Sequence, residues 1–130
     1  MLRFQLVITG NDELLARLRS ASAKAPGVMD EISYRWAQNV RAKLKSTPYP
    51  PKRPGQRYVR TGRLANSWRA ERLGKGRALI ANSAGYSGYV VGKKQAWFHR
   101  GRWWTAQSVI GENRPELRAA VIKELGRLLK

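Results

Sequence analysis

Leu2, Phe4, Leu6 and Ile8 alternate with Arg3, Gln5 and Val7. A period of two puts the first set on one face of an extended chain, so the pattern predicts a half-buried strand ending at Thr9-Gly10. Asn11 or Asp12 can cap a helix after it, with acids in the first turn. Leu14, Leu15, Leu18 and Ala21 give that helix one apolar face, and Pro26-Gly27 breaks it. Val28, Ile32, Trp36, Val40 and Leu44 then recur at steps of four, the continuous stripe of a second helix from about Val28 to Lys45. Asp30 and Glu31 near its start and Arg41, Lys43 and Lys45 near its end complement the helix dipole. Trp36 lies on the stripe and is expected in the core.

Ser46 to Gly62 breaks the periodicity. Pro48, Pro50, Pro51 and Pro54 exclude helix and central strand and predict an extended, polyproline-like arm. Its two tyrosines and four cations suit a surface segment that docks on a partner, ordered there and mobile without it. Leu64–Leu73 and Arg77–Asn82 read as a hairpin around Gly74-Lys75-Gly76. On that reading Leu64, Asn66, Trp68 and Ala70 share one face, and Ala65, Ser67, Arg69 and Glu71 the other. Gly62, just before the strand, suits a positive φ. The stretch from Ala84 to Gly92 reads as a turn or short helix followed by a strand. Gln95–Thr105 mixes Trp97, Phe98, Trp103 and Trp104 with His99, Arg100 and Arg102. A last helix is expected from Arg114 to Lys130, with Asn113 and Glu116 as a capping box, Pro115 in the first turn, and Leu117, Val121, Leu125 and Leu128 on its apolar face. No repeat or compositional boundary divides residues 1–130. The expected class is α+β: an N-terminal strand, two helices, an antiparallel sheet with a long proline-rich arm at 46–62, and a C-terminal helix.

Charge sharpens this picture. The net charge is +18, from 26 Lys and Arg against 8 Asp and Glu, which implies an acidic partner such as nucleic acid or an acidic protein surface. Between Pro48 and Trp104 the only acid is Glu71. The absence of cysteine excludes disulfides, thiol catalysis and cysteine-bound zinc, and fits an intracellular origin. The N-terminus has no apolar h-region or small-residue cleavage site, so no signal peptide is expected. The apolar runs are far short of a bilayer span, so no membrane partner is expected.

The chemistry-bearing residues argue mainly against catalysis. His99 is the only histidine, and Glu71 and Glu112 are its nearest acids in sequence. General acid–base work needs a tuned partner, and metal ligation by His99 would have only scattered carboxylates to draw on. No Gly-x-Ser-x-Gly elbow is present. A structural hydrogen bond beside the tryptophans is the expected role of His99, so His99→Ala is expected to disturb folding or assembly rather than chemistry. A ribonuclease-type toxin centred on His99, with Arg and Tyr around it, is the enzymatic alternative. Gly74-Lys75-Gly76-Arg77 sits between predicted strands rather than before a helix, so it reads as a hairpin tip and not a phosphate loop. The segment Gln95–Thr105 has the ingredients of a stacking platform for single strands, the basis of a non-catalytic nucleic-acid-binding alternative. The expected arrangement is that its aromatics divide between the core and a subunit contact. Tryptophan and arginine are both enriched at such contacts.

Three segments occur in an ordered pattern. The run from Tyr49 to Trp68 reads YPPKRPGQRYVRTGRLANSW. A strand with Asn82 near its end follows, then Tyr86-Ser87-Gly88-Tyr89-Val90-Val91-Gly92, then Gln95-x-x-x-His99-x-x-x-Trp103. This combination, over a little under half of the chain, resembles the tail-completion, or minor tail Z-like, family of siphophages and prophages. The resemblance implies a non-enzymatic component that completes the tail or joins it to the head connector, assembling with itself as a ring. It implies production in the bacterial host cytoplasm and residence in the virion at the head–tail junction. The implied partners are further copies of the chain, head-connector proteins, tail-tube or tail-terminator proteins, and transient, non-specific DNA. No catalytic, cofactor or metal residue is implied. Tyr49, Arg53, Tyr58, Arg60, Arg63, Trp97, Arg100, Arg102 and Trp103 are the candidate interface residues. A uniformly basic lumen would hold DNA through counterion release, so part of the charge is expected to face acidic protein.

Overall fold

A computed structural model describes residues 2–7, 23, 25–52, 54–55 and 60–128. The helix expected between Asn11 and Pro26 therefore lies almost wholly outside the described residues, as do the end of the first strand, Arg53 and Tyr58. The architecture is α+β. Strand β1 (Leu2–Val7) precedes the long helix α1 (Ala25–Ser46) and a one-turn helix α2 (Arg63–Asn66). Strands β2 (Trp68–Gly74) and β3 (Arg77–Asn82) follow, then α3 (Ser87–Val91), α4 (Ala106–Glu112) and α5 (Arg114–Leu128).

The sheet is antiparallel throughout, with order β1-β3-β2. Its register explains which residues are buried. Leu2, Asn82 and Trp68 lie in one row, Phe4, Ile80 and Ala70 in the next, and Leu6, Ala78 and Arg72 in a third. Side chains of alternate residues share a face, and the apolar members of these rows join the main core. The alternation read in Leu2, Phe4 and Leu6 is thus borne out, with Arg3 and Gln5 exposed on the other side.

Helix α1 lies across β2 and β3 and also packs on α5. Ile32, Trp36, Val40 and Leu44 of the expected stripe are buried, and Met29, Ser33 and Ala37 widen it. The helix begins three residues earlier than its pattern predicts, because Pro26 is tolerated in a first turn, where its missing N–H costs no helical hydrogen bond. Its polar flank ties down other elements. Asp30 accepts from the Gly76 N–H and Ser33 Oγ donates to Gly76 O at 2.8 Å, which clamps the hairpin tip from both sides. Arg41 Nε donates to Trp68 O at 2.8 Å, and Trp36 Nε1 to Asn113 O at 2.8 Å.

Three expectations are corrected. Leu64–Ser67 is not strand: Gly62 takes φ +76°, and the chain makes a helical turn in which Asn66 N donates to Gly62 O at 2.9 Å. Leu64 and Trp68 are buried together as expected, but Asn66 is exposed rather than sharing their face. The second half of Ala84–Gly92 is helix α3 rather than strand, and Gly92 meets the Gly88 carbonyl so closely that a Cβ there would lie 2.4 Å from the oxygen. The capping box also fails. Lys43 Nζ donates to Asn113 Oδ1 and, at 2.8 Å, to Glu116 Oε1, while Asn113 Nδ2 donates to Val109 O at 2.7 Å. A tertiary cation has taken both acceptors that a local cap would use. Leu125 is buried and Leu117, Val121 and Leu128 pack beside it on Met29 and Ile32, so the apolar face of α5 stands.

Trp68 is 2 % exposed. Trp68→Ala is expected to cost about 3–5 kcal/mol, the usual range for truncating a buried aromatic, read from denaturant melts. An unchanged melt would place the ring at the surface instead.

Glu31 accepts from Arg72 at 2.8 Å and from Arg35 at 3.1 Å, linking α1 to β2. The Arg72 hydrogen bond first, then that of Arg35, holds its carboxyl below the usual glutamate range. A lowered folded-state pKa stabilises above the unfolded-state pKa, and that contribution is lost as pH falls through the folded value. The pair is exposed, so the effect is small. Glu31→Gln is expected to flatten the acid limb of the stability–pH profile in urea melts and to leave stability unchanged at the lowest pH. Equal slopes in the two proteins would show that the pair contributes nothing.

Candidate interface at the arm

The arm leaves α1 at 47 and returns at α2. Residues 48–51 have no regular structure, as their prolines require, but they are fastened to the body. Tyr49 packs on Trp103 with ring centroids 5.1 Å apart, and its hydroxyl accepts from Ala65 N at 2.8 Å. Trp104 Nε1 donates to Pro48 O at 3.1 Å, and Arg102 donates to Pro51 O. The Arg60 guanidinium stands over both Tyr49 and Trp103, at 5.6 and 5.5 Å from the ring centroids. The planar guanidinium and the ring faces attract one another, so the two ends of the arm meet on the same aromatic pair.

Gln95 organises the segment beneath this pair. The two N–H groups of its buried amide serve three carbonyls, Val90 O at 2.7 Å, Trp103 O at 3.1 Å and Trp104 O at 3.2 Å, so one N–H is shared between two of them. One side chain thereby holds the end of α3 against the two tryptophans. Asn82, fully buried, has a matching role at the end of β3. Its Nδ2 donates to Leu64 O at 2.8 Å and its Oδ1 accepts from Ala84 N at 2.9 Å. Ser87 Oγ accepts from Leu2 N at 3.2 Å, which ties α3 to β1. Neither Asn82 nor Gln95 stood out as a site residue by type. A polar residue held at a set place within an otherwise basic and aromatic pattern was the available signal.

The candidate residues divide accordingly. Tyr49, Arg60, Arg102 and Trp103 come together and secure the arm to its own chain. Arg63 is exposed, with its guanidinium 5.9 Å from the Tyr86 ring centroid, and Arg100 Nε donates to Gln95 O at 3.3 Å. Trp97 stands apart with 78 % of its surface exposed, edge-on to Phe98 at 5.6 Å. Tyr89 is 66 % exposed. The aromatics of Gln95–Thr105 therefore do separate into a packed pair, Trp103 and Trp104, and an outward pair, Trp97 and Phe98.

His99 is half-buried between the Phe98 and Trp103 rings, at 4.3 and 5.9 Å between centroids. Its carbonyl accepts from Arg102 N and Trp103 N, closing the turn that presents Trp97. Among the described residues no group of three or more His, Asp or Glu side chains is placed to hold a metal ion. No described helix is long and apolar enough to cross a membrane. No family model, curated protein or solved structure matches the chain.

Gln95→Ala is expected to leave three inward carbonyls without their donor, at about 1–3 kcal/mol, with a change in the near-ultraviolet tryptophan circular dichroism. Gln95→Glu is expected to be worse, because a carboxylate would face three carbonyl oxygens. Equal melting of all three proteins would remove the amide from its organising role.

Proposed function

We infer that this chain is a non-enzymatic structural protein of a phage head–tail junction, acting in tail completion or head–tail joining and assembling as a ring. The observation that carries the reading is the joining of the three resembling segments into one unit. The Tyr49–Trp68 run is separated from the Tyr86–Gly92 segment by the β2–β3 hairpin, and only Lys93 and Lys94 separate that segment from Gln95–Trp103. The three segments are linked by the Tyr49–Trp103 contact, the Asn82 bond to Leu64 and the three bonds of Gln95. A pattern that forms one packed unit is what a shared interface element requires. The charge supports the same reading, since a basic protein suits a junction with acidic protein and passing DNA. Assembly would take place in the bacterial cytoplasm, and the finished protein would stay in the virion.

A second reading rests on a separate observation. Exposed Trp97 and Tyr89, with exposed Lys93, Lys94 and Arg100 nearby, have the composition of a stacking surface for single-stranded nucleic acid. The two readings separate on one set of experiments. Deleting the gene from the phage or prophage that carries it is expected to yield separate heads and tails in negative-stain images, rejoined by adding the purified protein. Normal virions from the deletion would refute the assembly role. RNA cleavage lost in a folded His99→Ala protein would transfer the assignment to a ribonuclease. Tight, steeply salt-dependent oligonucleotide binding without joining would favour the nucleic-acid reading.

A further inference from the structure

Trp97 is the most exposed large apolar side chain among the described residues, and it is presented by a turn at 97–100 whose flanks carry exposed Lys93, Lys94 and Arg100. Elsewhere on the surface an open groove of about 570 Å³ lies between the C-terminal end of α1, the start of the arm and α4. Pro48, Trp104 and Val109 give it an apolar lining, and Ser108 and Glu112 lie along it, as does Lys43, whose amine is already engaged by Asn113 and Glu116; Trp97 and Phe98 take no part in it.

Glu112 differs from every other described acid. Asp30 accepts from Gly76 N, and Glu31 pairs with Arg35 and Arg72. Glu71 pairs with Arg69, Glu116 with Lys43, and Glu124 with Arg127. Glu112 is exposed and, among the described residues, has neither a hydrogen bond nor an ion pair. On a chain of net charge +18 an open carboxylate beside an apolar floor is a rare feature. It disfavours a phosphate and favours a basic aromatic segment. This chain carries such a segment at Lys93–Arg100.

We propose that Trp97 of one copy inserts into this groove on the next copy, its ring against Pro48, Trp104 and Val109, with Lys93 and Lys94 facing Glu112. The inference rests on the ring assembly proposed above and specifies its contact. Two copies repel each other at long range, so a stable contact needs a place where cations meet an anion; the groove supplies it. The knob and the groove are different patches, so the contact is head-to-tail and propagates into a closed ring or a filament. A tryptophan seated in a pocket is among the commonest interface hot spots.

The chain has no cysteine, so introduced single cysteines report the contact directly. Lys94→Cys and Ser108→Cys, both at exposed positions, are purified separately, mixed, and treated with a short bismaleimide. The expected product is a heterodimer joined between positions 94 and 108, and a chain carrying both cysteines is expected to give a ladder. Adding Trp97→Ala to the Lys94→Cys protein is expected to remove the cross-link and to weaken self-association in sedimentation by roughly 30-fold or more. Its melting curve should stay that of the parent, since the ring is exposed. Glu112→Lys on the groove copy is expected to weaken the same link. Cross-links between like positions, an unchanged yield with Trp97→Ala, or a chain that stays monomeric at every concentration would overturn the docking. So would single-strand binding that depends on Trp97 in the absence of a 94–108 link. Head–tail joining is scored separately. Full joining by Trp97→Ala protein overturns the docking and leaves the assembly role standing, whereas failure of the unaltered protein to join overturns the role itself.

Discussion

The buried stripe of α1 on the three-stranded sheet places everything else. Trp36, Ala37, Val40 and Leu44 meet Trp68, Ala78 and Ile80 in one core, and burying apolar surface of this kind is the main source of stability in a small domain. Once the helix is seated, its flanks are seated too. Asp30 and Ser33 then reach the hairpin tip, Arg41 reaches the start of β2, and Lys43 reaches the junction of α4 and α5. These bonds are spaced along a single rod, so loss of the stripe would release the hairpin and the C-terminal helices together.

The unit formed by the arm and the tryptophans depends on that core without belonging wholly to it. Val91, Leu64 and Trp68 are buried in the main cluster, and Tyr49, Trp103 and Trp104 pack on its edge. Buried amides do the joining: Asn82 at the end of the sheet and Gln95 beneath the tryptophans satisfy backbone carbonyls that irregular chain would otherwise leave open. The result is an irregular surface on a rigid base. Its outermost groups, Trp97 and Tyr89, are held by short hydrogen-bonded turns and stand exposed.

The charge distribution completes this arrangement. Four of the described carboxylates, Glu31, Glu71, Glu116 and Glu124, are matched to arginine or lysine on the same chain in five ion pairs. Those pairs are exposed and individually weak, but they leave a surface on which positive charge is nearly unopposed. Such a surface resists indiscriminate self-contact. Any ordered self-assembly has to pass through the few places where the local sign differs, and Glu112 beside Trp104 is one of them.

The periodic parts of the chain were legible in its residues. Alternation in Leu2, Phe4 and Leu6 and the four-residue stripe of α1 specify strand and helix, because each pattern has a single face to bury. The breaking power of four prolines specifies the arm, and the basic balance specifies the sign of the surface. Local rules failed where a distant group competed for the same atoms. Asn113 and Glu116 have the spacing of a cap, but Lys43 arrives from seventy residues away and takes both acceptors. Leu64–Ser67 alternates like a strand, but the positive φ of Gly62 and the pull of Leu64 and Trp68 into one core turn it into a helical step. The fate of each candidate interface residue was likewise a tertiary matter. Tyr49 and Trp103 are drawn inward because the arm returns across them, whereas Trp97, of the same residue type, is pushed outward by the turn around His99. Residue type and periodicity determine what a side chain can bury; only the folded chain decides which of several eligible aromatics finds a partner within its own molecule and which is left for another.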